Sequence, residues 1–470
     1  MRKPQGSLAC MAVTNFLSLR GSSVQSRVAS RINSSRSQRM ERKKGRNEVN
    51  RTVKNRNTPN VKPVEKVSLS EKHVKVRLAA VVLLLLLGAG ALAYGFAGWL
   101  GGESGWREIE VSSSAEMNYG EEFVFLYDIG SSGVSAATES RALEKLYTEA
   151  SVQAYRLFNN DQLQEGVNNV YYINHHPNER ITVDEALYEA FAQIQETGSR
   201  YLYLAPAYEI YDNLFYSNDD SELVNFDPQL NEELREDFQE IADFASDPEA
   251  IDLELLGDNQ ICLKVSEEYL AYANEEYITD LIDFYWMKNA FIVDYLADVM
   301  TKAGYTAGSL SSYDGFTRNL DERDVAYSFN VYDRSGQKIY PAAVMEYSGS
   351  RSIVFLRDYP MNSLDDRRYY ERKNGEIRTP YLSLDDASQK QALHNLVAYS
   401  DEDGCARLLL LAAPLYIADR FEKEAAAELA SDNVYFIFSE EQVLNCSDPQ
   451  IVLNHLYQGE DVSYQAVLFE

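Results

Sequence analysis

The sequence is short of the residues that build a disulfide framework or a zinc site. Its 470 residues include only four cysteines, Cys10, Cys262, Cys405 and Cys446, which are widely spaced and form no CxxC pair. It also lacks a P-loop, a GxGxxG segment after a strand, an HExxH helix and a GxSxG turn. No internal repeat is present. None of these motifs therefore assigns the protein to an enzyme class.

The histidine pair and the acidic pairs of the sequence are weak candidates for metal binding or acid–base catalysis. His175 and His176 stand together in a predicted loop, and adjacent histidines rarely reach one ion, so we interpret them as loop residues. Three acidic pairs resemble the carboxylate dyads of glycosidases. Because 69 carboxylates follow Arg77, such pairs are expected from composition, and we interpret them as solvated surface. These pairs are Asp219-Asp220, Asp365-Asp366 and Asp385-Asp386.

Charge is distributed very unevenly along the chain. Residues 1–77 contain 19 Lys and Arg against 4 Asp and Glu, whereas the remainder contains 25 against 69 and the whole chain carries −29. The acidic part would repel phosphate, which argues against a nucleic-acid-binding domain. Residues 1–77 lack apolar periodicity and are predicted to be disordered. Their basic stretch either contacts anionic lipid or acts only as a topology signal, and both alternatives stay open.

An uncharged apolar run separates these two regions. Residues 78–100 read LAAVVLLLLLGAGALAYGFAGWL, and as a helix they span roughly 34 Å, enough for a hydrocarbon core of about 30 Å. Basic residues precede the run and aromatic residues lie toward its end, so the N-terminus is expected in the cytoplasm and residues 101–470 outside. A cleaved signal peptide is the alternative, but the preceding 77 residues are too many for a usual leader. We predict an uncleaved membrane helix, followed by a linker at 101–116.

Residues 117–470 mix strands and helices without strict β-α-β alternation. Apolar alternation predicts a strand at Glu121–Asp128, and helical spacing predicts a helix over 137–158. A capping box at Thr182 predicts a second helix through Glu196. The acidic stretch 217–250 is interpreted as a surface excursion with one short helix. The pattern predicts one α+β domain over 117–470. Further predicted elements are a hairpin turning at 257–259, a helix at 291–303, short strands between 326 and 400, a buried helix at 406–421 and a strand at 433–439.

One segment resembles a known family motif without gaps. Residues 283–294 read DFYWMKNAFIVD before a predicted helix, and Asp283, Phe291, Val293 and Asp294 fit the stretch D-L-G-G-I-A-K-G-Y-A-V-D. That stretch is typical of FAD:protein FMN transferases, the ApbE-like flavin transferases of the bacterial envelope. These enzymes bind FAD and Mg²⁺ and attach FMN to a Ser or Thr of a target protein. The resemblance continues in order over roughly residues 117–438.

Later segments place further residues on the family pattern. Asp314 falls at the end of a Gly-Gly-Asp feature, and Thr379-Pro380 falls on the start of S-H-I-I-D-P. Arg407 and Leu411 fall where the family carries an Asp and, four residues on, a Thr as metal ligands. An arginine repels a divalent cation and a leucine offers it no oxygen. The resemblance therefore implies that the metal site is dismantled.

The segment 283–294, which we call the cofactor motif, also departs from the family pattern. Tyr285 and Trp286 replace glycines that would let the backbone approach a dinucleotide, and they are interpreted as filling the core rather than as a stacking platform. Asn289 replaces the family lysine. Lys288, one residue away, is expected to point elsewhere on the helix. By resemblance, the candidate cofactor-binding residues are Tyr285, Trp286, Lys288, Asn289 and Asp314.

The sequence thus predicts a membrane-anchored extracytoplasmic domain that has kept a flavin-transferase fold and lost its chemistry. Such a domain would bind an envelope protein or a small ligand. One alternative is an active Mg²⁺-dependent transferase in which other carboxylates replace the metal ligands, and only then are FAD and Mg²⁺ expected. A second alternative is cell-wall glycan binding, since 33 tyrosines provide rings that stack on sugars.

Overall fold

The structure, a computed structural model, describes residues 104–115, 117–362, 365 and 367–469. These residues belong to one unit, Gly98–Glu470. The predicted segments 1–77 and 78–100, and the first residues of the linker, lie outside the described residues. Among the helices that the structure describes, none is long and apolar enough to cross a membrane.

The strands of the described residues form one large sheet and three smaller ones. The strands were identified over the following ranges, numbered in chain order: β1 Gly105–Glu108, β2 Phe123–Ile129, β3 Ile181–Thr182, β4 Ile251–Gly257, β5 Gln260–Val265, β6 Gly308–Ser312, β7 Phe316–Asn319, β8 Ala326–Ser335, β9 Lys338–Ser348, β10 Arg351–Arg357, β11 Tyr370–Glu371, β12 Ile377–Arg378, β13 Asn395–Ser400, β14 Tyr435–Glu440, β15 Val443–Cys446, β16 Leu453–Asn454 and β17 Gln465–Leu468.

The large sheet has nine strands in the order β1-β2-β6-β7-β10-β13-β14-β15-β17. Its neighbours pair antiparallel except β15 and β17, which are parallel. The smaller sheets have the orders β16-β9-β8, β3-β5-β4 and β11-β12. Helices and antiparallel strands that are not in strict alternation confirm the predicted α+β class.

The helices lie between these strands and differ widely in length. The α-helices are α1 Ala136–Phe158, α2 Val170–Asn174, α3 Glu185–Thr197, α4 Ala205–Asp212, α5 Glu232–Ser246, α6 Glu267–Glu275, α7 Lys288–Lys302, α8 Cys405–Tyr416 and α9 Lys423–Ser431. Short 3₁₀ turns occur at Gly120–Glu122, Tyr201–Leu204, Asn213–Tyr216, Leu223–Asn225 and Tyr285–Met287.

The large sheet separates two apolar clusters, because alternate residues of a strand point to opposite faces. On β10, Val354 and Leu356 join the cluster that contains buried residues of α1, α7 and α8. Ile353 and Phe355 join a second cluster, to which Met345 and other residues of β8 and β9 contribute. The domain is therefore built as a helical layer, a nine-stranded sheet and a small sheet.

Several predicted elements are confirmed with small shifts of their ends. The first strand and the first long helix are present, and the hairpin of β4 and β5 turns through Gly257, Asp258 and Asn259, all with positive φ. The predicted helix at 291–303 begins earlier, at Lys288, as α7. Gly198 ends α3 in the left-handed conformation, as its position predicts.

Other predictions were wrong, each for a local physical reason. Thr182 does not cap α3, since it pairs in β3; Asp184 is the N-cap and accepts a hydrogen bond from the Ala186 N–H at 3.0 Å. The stretch 217–250 is not merely a surface excursion, because α5 buries Leu234, Phe238 and other apolar residues in the main cluster. The predicted helix at 406–421 ends at Tyr416.

Candidate functional site

A cavity of about 430 Å³ opens beside the N-terminal end of α7. We call it the tyrosine cavity, because Tyr216, Tyr285 and Tyr313 line it. Its volume lies within the range of about 300–1,000 Å³ that is usual for small-molecule sites. Four of the predicted cofactor-binding residues line it together. The full lining is Glu121, Glu122, Asp212, Tyr216, Tyr285, Trp286, Lys288, Asn289, Tyr313, Asp365, Arg367, Arg368 and Pro380.

The fifth predicted residue, Asp314, reaches this cavity through Asn289. The Asn289 Nδ2 group donates to Asp314 Oδ2 at 3.0 Å and to Glu122 Oε2 at 2.9 Å. Arg368 contacts the same two carboxylates: one guanidinium nitrogen pairs with Asp314, and the other lies 3.4 Å from Glu122 Oε2. An amide and a guanidinium therefore hold two carboxylates together at the edge of the cavity.

Local structure places each member of this polar cluster. Glu122 lies in the 3₁₀ turn that opens β2, and its carbonyl accepts a 3.2 Å hydrogen bond from the Tyr313 N–H. Asp314 lies in the turn between β6 and β7, and β2 pairs with β6. Asn289 is in the first turn of α7. The pairing of neighbouring strands thus brings a residue of α7 against two turns at one end of the sheet.

A buried ion pair fastens the segment that carries Arg368. Arg357, at the end of β10, is almost fully buried, and its Nη2 lies 2.9 Å from Asp365 Oδ1. The Asp365 carboxylate also accepts hydrogen bonds from the N–H groups of Met361 and Asn362, at 2.7 and 3.0 Å. The sequence predicted that Asp365 lies on the solvated surface, and this prediction was wrong, because Asp365 is buried in an ion pair. The other predicted pairs contact lysines: Asp219 pairs with Lys373, and Asp385 lies 3.2 Å from Lys390.

Two oxygen atoms in the polar cluster are buried and have no hydrogen-bond partner within the described residues. They are Asn289 Oδ1, on a side chain that is 2% exposed, and Asp314 Oδ1, on one that is 9% exposed. A buried acceptor without a donor costs about 1–3 kcal/mol. Native proteins keep such groups sparingly, and frequently where a ligand or water completes the bonding. The described residues therefore leave two acceptor atoms of the cluster unused.

Lys288 lines the same cavity, contrary to the expectation that it points elsewhere. Its Nζ lies 4.7 Å from the centre of the Tyr119 ring. Burial alone would lower the pKa of Lys288, but the Tyr119 hydroxyl and the carboxylates of Glu122 and Asp283 outweigh burial and raise it above its usual range. Lys288 is therefore a fixed cation here and is unsuited to act as a base.

Tyr285 keeps a glycine-like backbone at a position where the family has glycine. Its φ is +41°, in the left-handed region that bulky residues seldom adopt. Its ring stacks on Tyr208 at 4.7 Å, and its hydroxyl donates to Asp212 Oδ1 at 3.1 Å. Trp286 is buried and donates from Nε1 to the Tyr208 hydroxyl at 3.2 Å. Both rings thus make extensive packing contacts, whereas Tyr216 and Tyr313 expose more of their surface.

Two carboxylates at the start of the segment 283–294 and just before it have strongly altered pKa values. Burial, followed by repulsion from Asp283, Glu209 and Asp161, raises the pKa of Asp280 to about 8. Burial also raises the pKa of Asp283 to about 6, although its carboxylate accepts a 3.0 Å hydrogen bond from the Tyr285 N–H. Asp280 is therefore mostly protonated at neutral pH, which limits the repulsion within this acidic group.

Asp294, the last residue of the cofactor motif, has a structural role. Its carboxylate accepts hydrogen bonds from the Cys405 and Ala406 N–H groups at 2.9 and 2.8 Å, at the start of α8. Arg318 lies 3.4 Å away and offsets its charge. A Cβ on Gly404 would collide with this carboxylate. The motif therefore ties α7 to the N-terminus of α8.

The two positions that the sequence resemblance matches to family metal ligands do not line the tyrosine cavity. Arg407 lies 2.8 Å from Glu196 and 3.0 Å from Asp403, and Leu411 packs against the main apolar cluster. Over the described part of the chain, no group of three or more His, Cys, Asp or Glu side chains is placed to hold a metal ion. The residues at this position do not fit Mg²⁺. His175 and His176 stack instead on Tyr171 and Tyr172.

Sequence reasoning missed Glu122, Arg368, Tyr216 and Tyr313 as cavity residues. Glu122 belongs to a predicted strand whose alternation indicates burial but not a partner. Arg368 follows Asp365 within a charged run, DDRR, which composition alone assigns to the surface. Their common cavity depends on strand pairing between segments far apart in sequence, and only the pattern of the family around Asp314 indicated this place.

Comparison with known proteins gives structures but no sequence match. No family model and no curated protein matches the chain. Among solved structures, the ApbE protein of Thermotoga maritima is similar with a TM-score of 0.49 and 13% identity, covering 74% of this chain and 97% of that one. Flavin transferase ApbE of Vibrio cholerae gives 0.49 and 13%, with 75% and 98% covered. The flavinyl transferase ApbE of Pseudomonas stutzeri gives 0.41 and 14%, with 72% and 91% covered.

Proposed function

We propose that residues 117–470 form a ligand-binding domain of flavin-transferase type that does not transfer FMN. The resemblance of residues 283–294 to the family motif and the common cavity of Tyr285, Trp286, Lys288 and Asn289 support the relationship. The partners of Arg407 support the loss of chemistry.

The observation that carries the proposal is the pair of buried, unpartnered oxygens on Asn289 and Asp314 among the described residues. They lie at the edge of a cavity whose exposed rings are Tyr216 and Tyr313. A planar ligand that packs against an exposed ring would donate N–H or O–H groups to these acceptors once the Asn289 side chain shifts, since both oxygens are buried in this structure. The cavity therefore suits a planar, donor-bearing small molecule.

Charge in the tyrosine cavity disfavours a pyrophosphate. Four carboxylates and three cations line it, and Asp314 adds a further carboxylate behind Asn289. Among the cations, Lys288 already faces Glu122 and Asp283. The guanidinium of Arg368 is already shared between two of these carboxylates. In family enzymes Mg²⁺ would neutralise phosphate charge during transfer, but Arg407 and Leu411 cannot supply that ion. We infer that FAD is not held tightly in this cavity.

The location of the domain is also a proposal. Residues 78–100 have the length and flanking charge of a membrane anchor, which would place the acidic domain on the outer side of the membrane. The ligand or partner would then come from the cell envelope. The topology is tested by introducing single cysteines before residue 78 and after residue 101 and treating intact cells with a membrane-impermeant thiol reagent. We expect labelling only of the cysteine after residue 101. Labelling only of the cysteine before residue 78 would contradict the proposal.

An active Mg²⁺-dependent transferase is the alternative. It is favoured by the carboxylates of Glu122 and Asp314, which converge within reach of one group and could take other ligands in place of Arg368. It predicts a yellow protein and Mg²⁺-dependent release of AMP from FAD. It also predicts that Asp314→Asn abolishes that release.

The deciding experiment incubates the purified full chain with FAD, with and without Mg²⁺, and measures AMP and bound flavin after desalting. Flavin transferase from Vibrio cholerae is the positive control. We expect no AMP above background and no retained FAD. Release of AMP at the rate of the control enzyme, lost in Asp314→Asn, would refute the proposal and establish the alternative.

Binding itself is tested by titrating riboflavin, which carries the planar ring without pyrophosphate. We expect it to bind more tightly than FAD and to lose affinity about tenfold in Asn289→Leu, since one hydrogen-bonding group is removed. Asn274→Leu, on an exposed face of α6, is the matched control. Tighter binding of FAD than of riboflavin would contradict the charge argument.

A further inference from the structure

A second cavity, of about 390 Å³, shares no lining residue with the tyrosine cavity. We call it the glutamine cavity, because Gln229, Gln389 and Gln391 line it. The end of β8, the residue after β10, the strand β12 and the loops next to β13 and α8 form the remaining wall. None of the sequence motifs pointed to this place.

Buried charge lies at the base of the glutamine cavity. The Arg378 side chain is only 6% exposed, and its Nε donates to Asp227 Oδ2 at 2.7 Å. Arg334 donates from Nε and Nη2 to the buried carboxylate of Asp358, at 3.1 and 2.6 Å. Burying such pairs gains little stability, since apolar side chains of similar volume often serve as well. Two buried ion pairs beside an open cavity therefore favour a role in recognition.

Each cation in the glutamine cavity already has its own carboxylate. Lys390 lies 3.2 Å from Asp385, 3.6 Å from Asp386 and 3.9 Å from Asp419. Together with the pairs of Arg334 and Arg378, this leaves no cation of the lining without an acidic neighbour. The carboxylates would repel an anionic ligand, and the three cations would repel a cationic one. The electrostatics thus favour a neutral ligand.

The amides of the glutamine cavity are held in fixed orientations. Gln389 Oε1 accepts from the Tyr211 hydroxyl and the Thr379 N–H, at 3.1 and 3.2 Å. Its Nε2 donates to the Ile377 carbonyl at 3.1 Å and to Gln391 Oε1 at 2.8 Å. The Nε2 of Gln391 has no protein partner within the described residues and is available to a ligand. Fixed donors and acceptors of this kind lower the entropic cost of binding.

We propose that the glutamine cavity binds a neutral saccharide. Sugar hydroxyls both donate and accept hydrogen bonds, so they can use the guanidinium, carboxylate and amide groups of the lining together. The side chains of Ile377 and Ala418 provide the limited apolar surface that the C–H face of a pyranose ring requires. A ligand that is mainly apolar finds too little such surface here. This site is separate from the proposed function of the tyrosine cavity.

The test applies the labelled full chain to a printed array of oligosaccharides that contains neutral members and acidic members of the same length. We expect binding to neutral oligosaccharides and none to acidic ones. Gln391→Ala removes an amide at the cavity wall and should weaken that binding about tenfold, the value of a lost hydrogen bond of about 1.4 kcal/mol. Gln229→Ala, at the exposed rim, removes the 3.1 Å hydrogen bond from Gln229 Nε2 to the Gln389 carbonyl and should weaken binding in the same direction. Gln162→Ala, at an exposed site away from the cavity, should bind as the parent chain does.

Three results would overturn the proposal: no binding to any neutral oligosaccharide, a preference for acidic ones, or equal binding by the Gln391→Ala and parent chains. A circular dichroism spectrum of each variant verifies that its fold is intact. Flavin titration of the same variants separates the two sites, since the tyrosine cavity should be unchanged by Gln391→Ala. Loss of flavin binding with retained sugar binding would concern the proposed function alone.

Discussion

Asp280 is expected to make the stability of the domain fall as pH rises. Its carboxyl group is partly buried beside Asp283, Glu209 and Asp161, and burial, followed by their repulsion, raises its pKa to about 8. An unfolded chain would have the ordinary value of about 3.8. Between these values the folded state holds a proton that the unfolded state has lost. Stability from this group is therefore complete below about pH 4 and is lost as pH rises toward 8.

The substitution Asp280→Asn should remove this dependence. An asparagine keeps an oxygen that can accept the 3.2 Å hydrogen bond from Asn160 Nδ2, and it has no charge to repel its neighbours. Each pKa unit corresponds to about 1.4 kcal/mol, so the shift at Asp280 amounts to several kcal/mol of lost stability above pH 8. We expect Asp280→Asn to raise the free energy of unfolding by that order at pH 8.5 and by little at pH 4.5.

Urea denaturation of the full chain, followed by circular dichroism at the two pH values, measures this difference as a shift of the midpoint. Asp461→Asn, an exposed carboxylate away from the acidic group, is the control and should change the midpoint equally at both. The reasoning would be refuted if Asp280→Asn shifted the midpoint equally at pH 4.5 and 8.5, or lowered it at pH 8.5.

Three other substitutions test single contacts of the fold, each by the midpoint of urea denaturation. Arg378→Met leaves Asp227 buried without a cation and should destabilise the domain by about 3–5 kcal/mol, whereas adding Asp227→Leu should recover most of the loss; no recovery would contradict the ion-pair argument. Gly404→Ala drives a methyl group into the Asp294 carboxylate and should cost about 1–3 kcal/mol, and an unchanged midpoint would show that α8 can shift freely. Tyr285→Phe keeps the stacked ring and loses one hydrogen bond, so it should cost about 1 kcal/mol, and an unchanged midpoint would show that this bond contributes nothing.

Periodicity alone predicted much of the helical and strand layout. The helix over 137–158 and the hairpin at 257–259 follow from local patterns of apolar residues and turn residues, and the structure contains both. Local patterns failed where two signals overlapped. Thr182 has the spacing of a capping residue, but it pairs with β5 as part of a strand. Asp184 caps the helix instead. Such competition between tertiary pairing and a capping motif is not readable from spacing.

The candidate site was predictable only in part. The family pattern placed Tyr285, Asn289 and Asp314 in one site. In the structure, Asn289 donates a hydrogen bond to Asp314, and Tyr285 and Asn289 line the same cavity. The same pattern could not indicate Arg368, because none of the segments matched to the family contains it and its partners come from other parts of the chain. Likewise, the acidic run around Asp365 looks solvated by composition, and only the approach of Arg357 from β10 explains its burial.

The two cavities share a feature that follows from the charge of the whole domain. After Arg77 the chain has 25 basic residues for 69 acidic ones, so almost any buried cation meets a carboxylate. Arg368 is divided between Glu122 and Asp314, and Arg378 is fixed by Asp227. Neither cavity therefore has the surplus of positive charge that would draw in a free phosphate group. Since a pyrophosphate requires such a surplus or a metal ion, the same argument that disfavours FAD in the tyrosine cavity favours a neutral ligand in the glutamine cavity.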